Sequence, residues 1–238
     1  MTNVLVLAST DSLDFGDSGY PTFLTEVGGA TLLEMWVSQA KEIDGKVTLV
    51  VNENDVIRWN LRAIKEQIDP DLQIISIKGL TSGATCTALL ALAGKNLEEQ
   101  LIVLNGNEYI QPRISEVVNE FNLRNLDAGL VYFDSVHPRY SYARINDDGL
   151  VLETAEKYPI SRNATAGFYW YKSSRIFVAA AEQQLLKRLN LNGSYYICPL
   201  FNELILQGQV VGGHGISSEL HHSLKSTRQL EKFKESEK

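Results

Sequence analysis

The feature that most restricts this chain is an alternation of strand-length apolar runs with helix-period segments through its first half. Residues 4–8 are apolar at every position, which suits a strand covered on both faces. Thr31 opens a helix, and Glu34 three residues on completes a capping-box pattern. Leu32, Leu33, Trp36, Val37 and Ala40 then fall on one helical face. Residues 47–51, 72–77, 101–104 and 128–133 read as further strands. Helix-period segments at 55–68, 83–94 and 113–125 separate them. Short links between alternating elements predict an α/β fold of three layers, α/β/α, with a mixed, mostly parallel central sheet.

The second half changes character. Residues 143–145 and 151–156 flank Asn146-Asp147-Asp148-Gly149, whose Asp-Gly step signals a hairpin. Residues 166–171 form an aromatic strand, Ser173 or Ser174 can cap a helix reaching Leu189, and 198–207 reads as a shorter helix. Val210-Val211 closes the strand pattern. From Lys225 a charged tail carries only Leu230 and Phe233 as large apolar anchors. No linker or repeat interrupts the chain, so a single domain over 1–238 is expected. Its two halves would be 1–135 and 136–224, with 225–238 a charged C-terminal helix.

Charge narrows the function. Lys and Arg total 22 against 29 Asp and Glu, giving a formal net charge of −7. That balance disfavours nucleic acid, whose binding proteins need a basic face to displace counterions. It gives no reason to expect a membrane surface as partner either. The N-terminus lacks a signal-peptide pattern and no apolar stretch is of membrane-spanning length, so a cytoplasmic location is expected. Cys86 and Cys198 stand far apart without a CxxC, which suggests neither a disulfide scaffold nor a zinc ribbon. His221-His222 reads as surface, and no Gly-x-Ser-x-Gly elbow, GxGxxG or Walker pattern is present.

An open parallel sheet binds ligands at the carboxyl ends of its strands. The loop after the first strand, the start of the Gly83 helix and Asn105-Gly106-Asn107-Glu108 converge there. Several segments then match one family in order. They are residues 4–8, Gly19-Tyr20-Pro21-Thr22, 26–34, 81–90, 104–107, 137–142, 156–161, 164–169 and 195–203. Together the set resembles the sugar-phosphate nucleotidyltransferases, which share the GT-A-like nucleotide-binding fold. It is similar to members encoded with capsule and surface-polysaccharide genes.

The resemblance implies transfer of a nucleotidyl group from an NTP to a sugar 1-phosphate, giving an NDP-sugar, with Mg²⁺ as cofactor where catalysis occurs. It implies nucleotide binding by Leu7, Ala8, Ser9, Thr81, Gly83, Ala84, Asn105 and Gly106. Glu156, Lys157, Gly167 and Tyr169 would hold the sugar phosphate, and the metal position falls on Asn107 and Glu108. A homo-oligomer is compatible with it.

The sequence departs from the family where the chemistry is concentrated. The loop at 8–15 carries no arginine, Thr22 stands where a lysine follows the proline, and Asn107 replaces the metal-binding aspartate. The first 40 residues hold no Lys or Arg but contain Asp11, Asp14, Asp17, Glu26 and Glu34, an acidic mouth that repels a triphosphate. No catalytic residue is assigned. Two readings stay open. One is an enzyme in which Asp11, Asp14 or Glu108 holds the metal. The other is a catalytically impaired member that binds sugar phosphate or nucleotide as a regulatory or assembly partner. A GT-A glycosyltransferase would need Asp147-Asp148 as its metal motif, although that pair sits in a predicted turn.

Overall fold

The computed structural model describes residues 1–9, 20–111 and 113–236. Strand β1 (Thr2–Ala8) is buried along its whole length. Val4, Val6 and Ala8 join one apolar cluster, while Leu5 and Leu7 join a second on the opposite face. A strand covered on both faces has no solvent side, and that is why its sequence shows no polar alternation. The short ribbon β2 (Glu26–Val27) and β3 (Ala30–Thr31) leads into α1 (Leu32–Lys41). Thr31 and Glu34 form the expected capping box, each side chain accepting the other's backbone N–H. Those bonds hold the Glu34 carboxyl below its ordinary range.

The order continues with β4 (Gly45–Asn52), α2 (Glu53–Arg58), α3 (Leu61–Ile68), β5 (Gln73–Ile77), α4 (Ala84–Leu92) and β6 (Gln100–Asn105). Then come β7 (Glu108–Ile110), α5 (Ile114–Leu123), β8 (Ala128–Asp134), β9 (Tyr142–Ile145), β10 (Val151–Ala155) and β11 (Asn163–Tyr171). The last elements are α6 (Ser174–Leu186), α7 (Leu200–Leu206), β12 (Val211–Ile216), β13 (His221–Ser223) and α8 (Thr227–Ser236). The helix expected over 55–68 is two helices, because Asn60 turns left-handed at φ 47° between them. The helix expected to reach Leu189 ends at Leu186, and Arg188 at φ 55° redirects the chain. Val210-Val211 proves to border a longer strand, with a further strand beyond it.

The central sheet is mixed and mostly parallel, an α/β arrangement as expected. Its main path runs β10-β9-β11-β6-β1-β4-β5, with β8 beside β11 and β12 beside β8. Strands β6, β1, β4 and β5 are mutually parallel, as are β8 and β12. Antiparallel β11 joins the two halves by pairing with both β6 and β8. Leu33, Trp36 and Val37 of α1 and Val117, Val118 and Phe121 of α5 cover one face. Ala88 and Ala91 of α4, Phe177 of α6 and Phe201 of α7 cover the other.

Two features aim the chain at one end of this sheet. The β8 register of β11 breaks between Thr165 and Tyr169, where Gly167 takes φ 70°. Strand β13 pairs antiparallel with β7, placing Ser223 opposite Glu108 and His221 opposite Ile110. That ribbon is held by ring stacking, His221 on Phe133 and His222 on Phe233. The histidine pair read as surface is therefore inside a packed layer, with His221 buried. Leu230 and Phe233 anchor α8 as the tail pattern suggested.

Candidate functional site

The carboxyl ends of β1 and β6 open into a cavity of about 440 Å³. Leu7, Ser9, Thr81, Gly83, Ala84 and Asn105 line it from the nucleotide side proposed by the sequence, and Glu156, Lys157 and Tyr169 from the opposite side. Asn107 and Glu108 lie between them. Ala8, Gly106 and Gly167 stand behind the wall. Ala8 belongs to the sheet core. The Gly106 N–H donates to the Leu7 carbonyl at 2.9 Å, so Gly106 locks β1 to the β6–β7 turn.

Gly167 also makes room for a side chain of the protein. A Cβ there would overlap Glu108 Oε2, and its φ of 70° favours glycine in any case. The group that comes close to the Gly167 backbone is thus a carboxylate of the protein itself. Glu108 Oε2 accepts from Asn105 Nδ2 at 3.4 Å, and Oε1 accepts from Lys225 Nζ at 2.6 Å. The Glu108 side chain is only 3% exposed, so an unpaired charge there would be costly. Lys225 arrives because the Leu224 N–H donates to the Asn107 carbonyl at 2.8 Å, extending the β7–β13 ribbon.

The sugar-phosphate side is built around a second, half-buried carboxylate. Glu156 Oε2 accepts from Ser141 Oγ at 2.5 Å, and burial raises the Glu156 pKa, opposed by Ser141, Lys157 and Lys225. Lys157, left-handed at φ 53°, donates from Nζ to Tyr196 Oη at 2.9 Å while lying 4.8 Å from that ring's centre. The hydroxyls of Thr165 and Tyr169 stand 3.2 Å apart on β11. Burial holds the Tyr169 phenol far above its ordinary value, so it acts as a neutral hydroxyl. Cys198 also lines the cavity, but burial pushes its thiol so far up that it is no nucleophile.

On the opposite side Gly83 takes φ 113°, and any Cβ would stand 2.5 Å from the Tyr195 carbonyl oxygen. The Tyr195 N–H donates to the Ser82 carbonyl at 2.8 Å, and the Tyr195 carbonyl accepts from the Thr85 N–H at 3.1 Å. The loop before α7 therefore clasps the first turn of α4, taking one of the helix N–H groups that an anion could otherwise use.

Arg139, Tyr140, Tyr196 and Lys225 are lining residues to which sequence reasoning gave no ligand role. Arg139 and Tyr140 lie in the quoted 137–142 segment, which carried the signal without a chemistry. Lys225 opens the tail read as a solvated charge run, where nothing local marks it. The described lining carries three cations, Arg139, Lys157 and Lys225, against two carboxylates, Glu108 and Glu156. The acidic mouth inferred from the first 40 residues rests mostly on side chains that this described lining does not include. Glu34 is committed to its capping box, and Asp11, Asp14 and Asp17 lie outside the described residues.

The donor set at Asn107 and Glu108 does not suit the Mg²⁺ implied by the resemblance. Mg²⁺ asks for near-octahedral oxygen ligands with at least one carboxylate available. The carboxylate present is engaged by an ammonium, and its neighbour is an amide. Among the described residues no three His, Cys, Asp or Glu side chains gather to hold a metal ion. Asp147 and Asp148 sit in the β9–β10 turn, away from the cavity lining.

The sequence matches no protein-family model and no curated protein. The solved structures it resembles share one architecture. A nucleoside-diphosphate-sugar pyrophosphorylase from Vibrio cholerae RC9 aligns over 99% of this chain and 100% of its own, at 22% identity and a TM-score of 0.77. The inositol-1-phosphate CTP transferase from T. maritima aligns over 99% and 95%, at 12% identity and a TM-score of 0.72. A UDP-glucose pyrophosphorylase complexed with UDP-glucose aligns over 99% and 98%, at 13% identity and a TM-score of 0.76. The fold is that of the nucleotide-diphospho-sugar pyrophosphorylases and nucleotidyltransferases. Among the described residues no helix is long and apolar enough to cross a membrane.

Proposed function

We propose that this protein binds a sugar 1-phosphate or a nucleotide-diphosphate sugar in its cleft, and that recognition rather than Mg²⁺-dependent nucleotidyl transfer is its task. The observation that carries this reading is Glu156. A half-buried carboxylate in the cavity wall, fixed by Ser141 and flanked by Lys157, is an acceptor placed for sugar hydroxyls next to a cation placed for a phosphate. The solved relatives act on or hold such molecules, which supports the class of ligand. The loss of a fitting metal position and of the loop arginine weighs against transfer. A binding member of this fold suits a regulatory or assembly role in polysaccharide synthesis.

The test uses the full chain. Glucose 1-phosphate, UDP-glucose and dTDP-glucose are screened by thermal shift and calorimetry, alongside pyrophosphate release from the four NTPs with sugar 1-phosphates and Mg²⁺. A raised Tm with at least one phosphorylated sugar, and no pyrophosphate above background, is expected. Turnover in the second assay, or silence from every ligand in the first, overturns the reading.

A further inference from the structure

The ion pair at the base of the cleft has a consequence for how a phosphate is held. We propose that Lys225 is the phosphate-anchoring cation of this cleft, standing in for a divalent metal, so that phosphorylated sugars bind without Mg²⁺. The inference rests on the sugar-phosphate reading above and names the group that meets the phosphate.

Three observations converge on it. First, the position that would hold a metal is chemically inverted. Asn107 offers amide N–H donors as well as an oxygen, and the neighbouring carboxylate already carries an ammonium at 2.6 Å. A second cation placed against Glu108 would meet the positive charge of Lys225, whereas an anion is attracted to it. Second, Lys225 is not sealed into the protein. Its side chain is 36% exposed while Glu108 is 3% exposed, so the buried partner fixes the ammonium and the exposed part contributes to the cavity wall. A fixed ammonium loses less side-chain freedom on binding than a free surface lysine does. Third, Lys225 is not the lone cation there. Its Nζ lies 5.9 Å from the Tyr140 ring centre, and the Arg139 guanidinium lies 4.6 Å from the same ring. Two positive groups therefore border one aromatic wall of the cleft, which Lys157 also lines.

The geometry differs from a resident metal in one testable respect. A metal bridges protein carboxylates to ligand oxygens and is removed by a chelator, whereas an ammonium is covalently part of the chain. Calorimetry with glucose 1-phosphate and with inorganic pyrophosphate is run on the full chain in excess EDTA and again in millimolar MgCl₂. The expected result is the same affinity in both buffers within about twofold. Because Lys225→Met alone strands a buried carboxylate, the Lys225→Met/Glu108→Gln double variant is measured beside it, with circular dichroism and a melting curve confirming that it folds. The double variant should lose at least tenfold in affinity for both probes.

Wild-type binding that disappears in EDTA overturns the proposal while leaving the sugar-phosphate reading intact. So does metal-free binding that the folded double variant keeps in full. No binding of the sugar phosphate or pyrophosphate in either buffer also overturns the proposal, and it overturns the sugar-phosphate reading as well when UDP-glucose and dTDP-glucose are silent too.

Discussion

At the residue scale, the site depends on a glycine that stands behind the cavity wall. Gly167 lets β11 bulge and leaves its Cβ space to the Glu108 carboxylate. Gly167→Ala should therefore lower stability by about 2 kcal/mol or more, combining left-handed strain of ~1–2 kcal/mol with displacement of a buried ion pair. Gly79 is the control. It has φ 74° but nothing within 4 Å of a would-be Cβ, so Gly79→Ala carries the strain alone. Urea denaturation of both variants checks the difference, and equal losses would contradict the packing account. The same pair makes a constructive prediction. Replacing Asn107→Asp and Lys225→Asp together places carboxylates beside Glu108, and Mg²⁺ should then raise the Tm of the variant but not of the wild type.

At the element scale, β13 is the short strand on which the cation depends. His221 in it is buried against Phe133 and Tyr140. Burial lowers its pKa from the ordinary 6.5 to about 4, with Lys225, His222 and Arg139 pushing the same way and Glu108 opposing. Between those two values the unfolded chain binds the proton and the folded chain does not. Stability consequently rises with pH through this window and falls as pH drops from 6.5 towards 4, by about 3 kcal/mol in all. Isothermal urea titrations at successive pH values should show that slope, and His221→Phe should flatten it. A slope unchanged in the variant would assign the loss to other groups.

The neighbouring helix α8 acts through packing. Phe233 is 1% exposed, stacks on His222 and packs at a tilt against Tyr109. Phe233→Ala should cost ~3 kcal/mol or more and weaken pyrophosphate binding although it lies outside the cleft lining. Calorimetry and a melting curve on one preparation test both effects.

At the scale of the whole molecule, the layered plan was readable because two apolar cores sandwich the sheet. That double burial forced residues 4–8 and 101–104 to be apolar throughout, and it gave α1 and α5 their single faces. Elements whose existence depends on distant partners left no such trace. Glu108–Ile110 and His221–Ser223 are three residues each, too short to show a period, and they become strands only by pairing with one another. The break at Asn60 was hidden because a left-handed turn keeps the composition of a helix surface. The candidate site divides in the same way. Glu156 and Lys157 were legible from an intact family pattern. Lys225 was concealed in a charge run, and nothing local to Gly167 marks the distant carboxylate that its missing side chain accommodates.

The pairing of residue 108 with residue 225 also sets an order of assembly. During synthesis the parallel strands and their helices emerge well before β13, and they can begin to pack without it. Glu108 stays without its ammonium until the chain has passed Lys225 and doubled back onto β7. The Glu108–Lys225 pair at the base of the cleft is thus completed only after residue 225 has been made. Fragments ending just before that point would carry every strand of the fold but leave Glu108 buried without its ammonium.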